Sequence, residues 1–231
     1  MNPSLSNRLL ACCSFVKPGE RIADIGCDHA YLGIYLLQKG IAESVIATDI
    51  NKGPLQRAVE NAEKFGTKER MRFFLSDGAK NIPHDFDTMV CAGMGGDTII
   101  SILDNAPWLK SPQYRLILQC QSRRPELRKY LNSQGYSIES ETLAKDGHFI
   151  YPVMEVKYLP SPPLTPGGCW ISPALLRSSS PLMGEFYEML IEGLRSTVAG
   201  LTRTGGPKLD HYNAVLKELP ELEETIHGNC E

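Results

Sequence analysis

Residues 20–158 alternate between short apolar runs and segments of helical spacing, and this alternation constrains the fold more than any other feature of the chain. IADIG reads as a buried strand ending at Gly26, and YLGIYLLQKG after it as a helix closed by Gly40. SVIATDI is a second strand, and NKGPLQRAVENAEKFG a helix with Pro54 in its first turn and Gly66 at its end. MRFFLSD, DTMVCAG and YRLILQCQ supply three more strands, with helices in GDTIISILDNA and RPELRKYLNSQG. YSIESETLAKDGHFIYPVMEVKYL closes the region as two strands around an Asp146-Gly147 turn. Strands joined through helices pair in parallel by right-handed crossovers. The expectation is an α/β fold, a doubly wound Rossmann-like sheet, mostly parallel with an antiparallel edge strand. Its ligand should lie beyond the carboxyl ends of the strands.

After this region the pattern changes. LPSPPLTPGG, residues 159–168, is a Pro- and Gly-rich connection. Leu182, Phe186, Leu190, Leu194, Val198 and Leu201 then recur at helical spacing, as do Tyr212, Val215, Leu219, Leu222 and Ile226 after TRTGGPK. Two amphipathic helices form an antiparallel hairpin, the second ended or kinked by Pro220. The expected division is residues 1–159 as the main domain and 160–231 as connection and hairpin. The hairpin packs on the domain or a twin subunit, or grips a macromolecule.

The formal net charge of −3 excludes nucleic-acid binding by bulk positive charge and leaves room only for a local basic face. Residues 1–160 carry 19 basic and 18 acidic side chains, and residues 161–231 carry 5 and 9, so the acidic excess sits in the tail. The seven cysteines show no C-x-x-C spacing and the five histidines no ligand pattern, so no metal is expected. With no apolar run of about 18–20 residues and no secretory leader pattern, no membrane partner is expected and the location should be cytoplasmic. Nothing in the sequence indicates a homodimer.

The first strand–loop–helix, ADIGCDHAYLG, has Asp28 and Tyr31 where a dinucleotide fingerprint needs glycines. A carboxylate there repels a pyrophosphate and suits a ligand with positive groups. Asp49 ends the second strand, where an acidic residue accepts from ribose hydroxyls. Asp77 follows the third strand, placed to accept from an adenine amine. Each aspartate alone could simply cap a helix. The ordered set of three suits a nucleoside carrying a cationic amino-acid arm, which describes S-adenosyl-L-methionine, the cofactor of class I methyltransferases.

DIGCDHAYL, ATDIN, SDGA, AGMGG, LILQ and the LR..L..QGY..ESETL stretch resemble the bacterial tRNA (adenine(22)-N1)-methyltransferases from about Leu5 to Leu159, and more faintly into the tail. The resemblance implies transfer of the methyl of S-adenosylmethionine to N1 of adenine 22 in the D-arm region of tRNA, with a coiled-coil-like C-terminal domain helping to hold the RNA. It places Asp24, Gly26, Asp28 and His29 on the cofactor loop, Asp49 and Asn51 on the ribose segment, and Asp77 and Gly78 on the adenine segment. Gly93, Met94, Gly95 and Gly96 fall where base and methyl meet. LILQCQ departs from the family's LILQPN at Cys120 and Gln121.

N1 of adenine carries an in-plane lone pair and needs no strong base, so alignment and exclusion of water carry the chemistry. Asp28, His29 and Met94 are the candidate catalytic residues: Asp28 or His29 toward the N6 amine, Met94 packed on the base. Asp24, Gly26, Asp28, Asp49, Asn51, Asp77, Gly78 and Gly93 are the cofactor candidates. Gly95, Gly96, Arg8, Arg123 and Arg124 are the substrate candidates, within a wider set of cations (Lys17, Arg21, Arg115, Arg128 and Lys129) for phosphates. Arg177, Arg195 and Arg203 would serve on the arm. The competing readings are a class I methyltransferase for a small molecule or protein, and a non-catalytic tRNA-binding module.

Overall fold

The computed structural model describes residues 3–202 and 205–228, with side chains to 220. Seven strands form one sheet in the order β3-β2-β1-β4-β5-β7-β6. They are β1 Glu20–Ile25, β2 Ala42–Asp49, β3 Met71–Leu75, β4 Thr88–Gly95, β5 Arg115–Ser122, β6 Tyr136–Asp146 and β7 Phe149–Tyr158. β1 to β5 pair in parallel, β7 runs antiparallel to β5, and β6 pairs antiparallel with β7. The chain leaves β1 toward β2 and β3 and returns past β1 to β4. The reversal opens a crevice between the carboxyl ends of β1 and β4.

The helices cover both faces. α1 Asn7–Ser14, α2 Tyr31–Gln38 and α3 Lys52–Lys64 bury Cys12, Ile34, Leu36 and Ala58 against Ile22, Val45, Val90 and Ile117. On the other face, α4 Gly96–Asp104 and α5 Arg124–Ser133 bury Ile99, Leu103, Leu127 and Leu131 against Ile25, Met89, Cys91 and Leu118. Alternate residues of each inner strand thus feed opposite layers, as a sheet buried on both faces requires. All six cysteines among the described residues are buried and free; Cys230 lies outside them.

The tail forms α6 Pro173–Leu176, α7 Met183–Leu201 and α8 Pro207–Gly228. It packs on the β6–β7 hairpin through a third cluster that joins Leu143 and Ile150 to Ile171, Phe186, Ile191, Leu194, Val215 and Leu219. The buried stripe of α7 is Met183, Phe186, Tyr187, Ile191 and Leu194, so Leu182, Leu190, Val198 and Leu201 are only half-buried. α8 continues through Pro220 to Gly228, so the proline does not end the helix; it removes one backbone donor within it. The side chains of Leu222 and Ile226, and all of Arg203, lie outside the described residues.

Two expected phosphate contacts are structural instead. Arg115 is buried, pairing with Glu20 and, at 2.8 Å, with Glu155. Arg128 is 1% exposed; it pairs with buried Glu141 and donates to the Cys169 and Trp170 carbonyls at 3.1 and 3.2 Å. Glu141 also accepts from Ser172. This cluster ties α5, β6 and the Pro-rich connection together. Removing one member of such a pair strands the other charge in the interior. Glu141→Ala should therefore cost about 3–5 kcal/mol in urea unfolding and expose the 159–172 connection to proteases. A loss below about 1 kcal/mol would show that the pair is not a fastener.

Candidate active site

The loop after β1 is held open by backbone geometry. Gly26 has φ +68°, and Asp28 and Ala30 also take left-handed conformations, at 50° and 57°. Left-handed backbone costs a residue with a Cβ about 1–2 kcal/mol. Two hydrogen bonds to β2 hold the turn: Cys27 N–H donates to the Thr48 carbonyl at 2.7 Å, and Asp28 N–H to Asp49 Oδ2 at 3.3 Å. Asp49 Oδ1 accepts from Asn51 N–H at 2.8 Å. Asp49 is thus fixed by its own loops, and each oxygen keeps a second lone pair.

Two cavities meet at this loop. The first, of about 510 Å³, is lined by Gly26, Asp49, Asn51, Asp77, Gly78 and Met94, with Ile50 and Asp97 beside them. Ile50 is 61% exposed, an apolar surface over the groove. Asp77 pairs with Lys80 at 2.5 Å. The second, of about 250 Å³, is lined by Arg8, Asp24, Gly26, Asp28, His29 and Met94, with Tyr31 and Gly93 completing it. Gly26 and Met94 belong to both walls. A Cβ on Gly26 would stand 2.3 Å from Met94 Cε, so a side chain there would displace the methionine tip, and its φ of +68° favours glycine in any case.

Within the second cavity His29 Nε2 lies 3.6 Å from Asp28 Oδ2, and its ring stacks on Tyr31 at 5.6 Å. Asp24 is 4% exposed, and its Oδ2 has no hydrogen-bond partner among the described residues. Burial pushes its pKa up to about 7; the Gly33 N–H opposes the shift and the nearby Asp49 adds to it.

A residue outside the sequence-based candidates organises the opposite wall. Gln119, fully buried within β5, accepts from Gly93 N–H at 2.8 Å and from Arg8 Nη1 at 3.2 Å. Its Nε2 has no partner among the described residues. A Gln inside the apolar run LILQ is the only sequence signal for it. Gly93, at φ +78°, would place a Cβ 2.8 Å from Arg8 Nη1, so its bareness lets the guanidinium close over the loop.

The substrate candidates separate. Arg8 lines the second cavity and pairs with Asp146 at 3.2 Å. Arg123 is exposed on the groove rim, pairing with Asp97 at 3.0 Å and Glu126 at 3.6 Å. Arg124 turns the other way: it donates to the Ile150 carbonyl at 3.2 Å and lies over the Phe186 ring, fastening the tail rather than facing the cleft. Gly96 is also displaced from its expected place. It is buried, and a Cβ there would meet the Arg123 carbonyl at 2.7 Å, so it serves the close approach of β4 to β5. Gly95 lies beside it against Ser122 Oγ.

The crevice, the acidic strand ends and the sheet order can be set beside known proteins. A family model described as a methyltransferase domain matches residues 5–154. This chain belongs to the methyltransferase-domain family. A Bacillus subtilis tRNA (adenine(22)-N(1))-methyltransferase is 32% identical over 151 residues, 65% of this chain and 63% of that protein. A Mycoplasma genitalium relative is 35% identical over 144 residues, 61% of this chain and 63% of its own. The alignments thus span a little under two thirds of these curated relatives. A Streptococcus pneumoniae protein solved in complex with S-adenosyl-L-methionine superimposes with a TM-score of 0.81 at 28% identity, covering 97% of this chain and 100% of that one.

The buried Asp24 carboxyl gives a pH test. The folded state holds the Asp24 proton up to about pH 7, whereas the unfolded chain releases it near the ordinary aspartate value of 3.8. Between these values the native state binds more protons, so its stability falls as pH rises and levels off above about 7. Wild-type stability relative to Asp24→Asn, measured by urea unfolding, should decline across that window by a few kcal/mol, on the order of 1.4 per pH unit. A pH-independent difference would remove Asp24 from this role.

Proposed function

We propose that this chain is an S-adenosylmethionine-dependent tRNA methyltransferase that modifies N1 of adenine 22. The observation that carries the reading is the junction of two cavities across Gly26 and Met94, one walled by Asp49 and Asp77, the other by Asp24, Asp28 and Gly93. The likeness to the Bacillus subtilis enzyme supports the choice of tRNA and of adenine 22.

The residues fit the cofactor. The free lone pairs of Asp49 accept ribose hydroxyls, with Asn51 beside them. Asp77 and Gly78 form the adenine end, and Ile50 covers the base with apolar surface. The unpartnered Asp24 oxygen suits a cationic amine, and Arg8 suits a carboxylate. S-adenosylmethionine supplies an electrophilic methyl group on a sulfonium. The work of the protein is to align an acceptor lone pair with it and keep water out.

The target adenine enters the second cavity beside the amino-acid arm, on its Asp28 and Met94 side. Met94 packs on the flat base, and Asp28 with His29 accepts from the N6 amine, whose acidity rises once N1 is methylated and cationic. Reaching a base in folded RNA needs it turned out of its stack, at a cost of a few kcal/mol. Arg123, on the groove rim, contributes phosphate attraction, and Arg177 and Arg195 extend the contact along the tail. Among the described residues no helix is long and apolar enough to cross a membrane; the proposed action on tRNA is an action in the cytoplasm.

Incubation with total tRNA and methyl-labelled S-adenosylmethionine should yield N1-methyladenosine on nuclease digestion. Label in protein, in a small molecule or in another nucleoside would overturn the reading. Asp49→Ala should weaken cofactor binding at least tenfold in calorimetry. Asp28→Ala should retain cofactor binding and lower kcat at least tenfold; full turnover would dismiss Asp28 from the chemistry.

A further inference from the structure

The β6–β7 hairpin runs past the sheet beside the second cavity. β7 pairs with β5 only as far as Val153 opposite Gln119, so Phe149–Pro152 and their partners Leu143–Asp146 extend beyond that last paired residue. The extension has two unlike faces. Lys145 and Ile150 face the tail, where Lys145 pairs with Glu185 at 2.6 Å. The other face carries Val153, Tyr151 and Phe149 in alternation. Val153 is buried under α1, Tyr151 is half-buried, and Phe149 is 63% exposed, the most exposed large apolar side chain among the described residues. The rings of Phe149 and Tyr151 are 6.1 Å apart, inclined at 37°.

This pair is tied to the acceptor cavity. Asp146 stands opposite Phe149 across the hairpin. Its carboxylate accepts the Asn7 N–H at 2.9 Å and pairs with Arg8, whose Nη1 reaches Gln119 beside Gly93. One ion pair and one amide therefore separate the exposed ring from the place assigned to the target base. A single exposed Phe needs no explanation. A ring pair joined through Asp146 to an arginine that lines the active-site cavity has a use. Turning an adenine out of its stack leaves its neighbours without a stacking partner, and an aromatic platform replaces that partner whatever the base.

We infer that Phe149 and Tyr151 form a stacking platform for the unpaired nucleotide flanking the target adenine, positioned by the Arg8–Asp146 pair. The inference rests on the tRNA reading above. The test uses the full chain and tRNA carrying 2-aminopurine next to the target, whose fluorescence falls on stacking. Wild-type protein should quench the probe without turnover. Phe149→Ala should lose the quenching and raise the KM for tRNA about tenfold, with little change in kcat, cofactor affinity or melting temperature. Phe149→Trp should restore both quenching and KM. Methylation of tRNA with quenching and KM unchanged in Phe149→Ala would overturn the platform and leave the proposed function standing. A wild-type protein that methylates no tRNA would overturn both.

Discussion

The site depends on the latch between β1 and β2. Two backbone donors, from Cys27 and Asp28, reach the last two residues of the neighbouring strand. They hold a loop in which two residues bearing side chains adopt left-handed backbone, a conformation the local sequence would not choose. Without the latch Asp49 would lose one of its two backbone donors. The glycine at 26 matters first for its dihedral angle, and its missing side chain lets the tip of Met94 lie against the loop. A few short contacts thus convert a topological crevice into a two-chambered cleft.

The opposite wall is built by a different principle. Gln119 holds the Gly93 loop and the Arg8 guanidinium with one carbonyl oxygen. Arg8 passes the connection to Asp146, and through it to the tip of the hairpin. A buried amide with one satisfied end rigidifies its surroundings at the cost of leaving the other end unpaired. The tail stands behind this wall. Arg124 and the Arg128–Glu141 pair, which look from sequence like a basic face, are spent on fastening it. The positive charge left for a polyanion is local, as the net charge of the chain requires.

The sheet and its acidic strand ends were legible in the sequence because both depend on local pattern. Apolar runs, closing glycines and the order Asp28, Asp49, Asp77 survive any rearrangement of side chains. What could not be read depends on partners distant along the chain. The identity of Arg124, Arg128 or Arg115 does not say whether a carbonyl, an aromatic ring or a carboxylate waits 26 or 40 residues away. Gln119 hides in an apolar strand for the same reason. The buried stripe of α7 shifted from Leu182 and Leu190 to Met183, Tyr187 and Ile191 because the hairpin surface chooses the face, and periodicity alone leaves that choice open.

The proposed reaction is delivery of a methyl group from this cleft to N1 of one adenine in tRNA. A methyl at N1 blocks the Watson–Crick edge, so reverse transcriptase halts there. Primer extension on a tRNA transcript treated with the protein and S-adenosylmethionine should show a new stop one nucleotide before adenine 22. The stop should require both components and vanish when adenine 22 is replaced by guanine. A stop at another position, or methyl incorporation with no stop, would contradict the account.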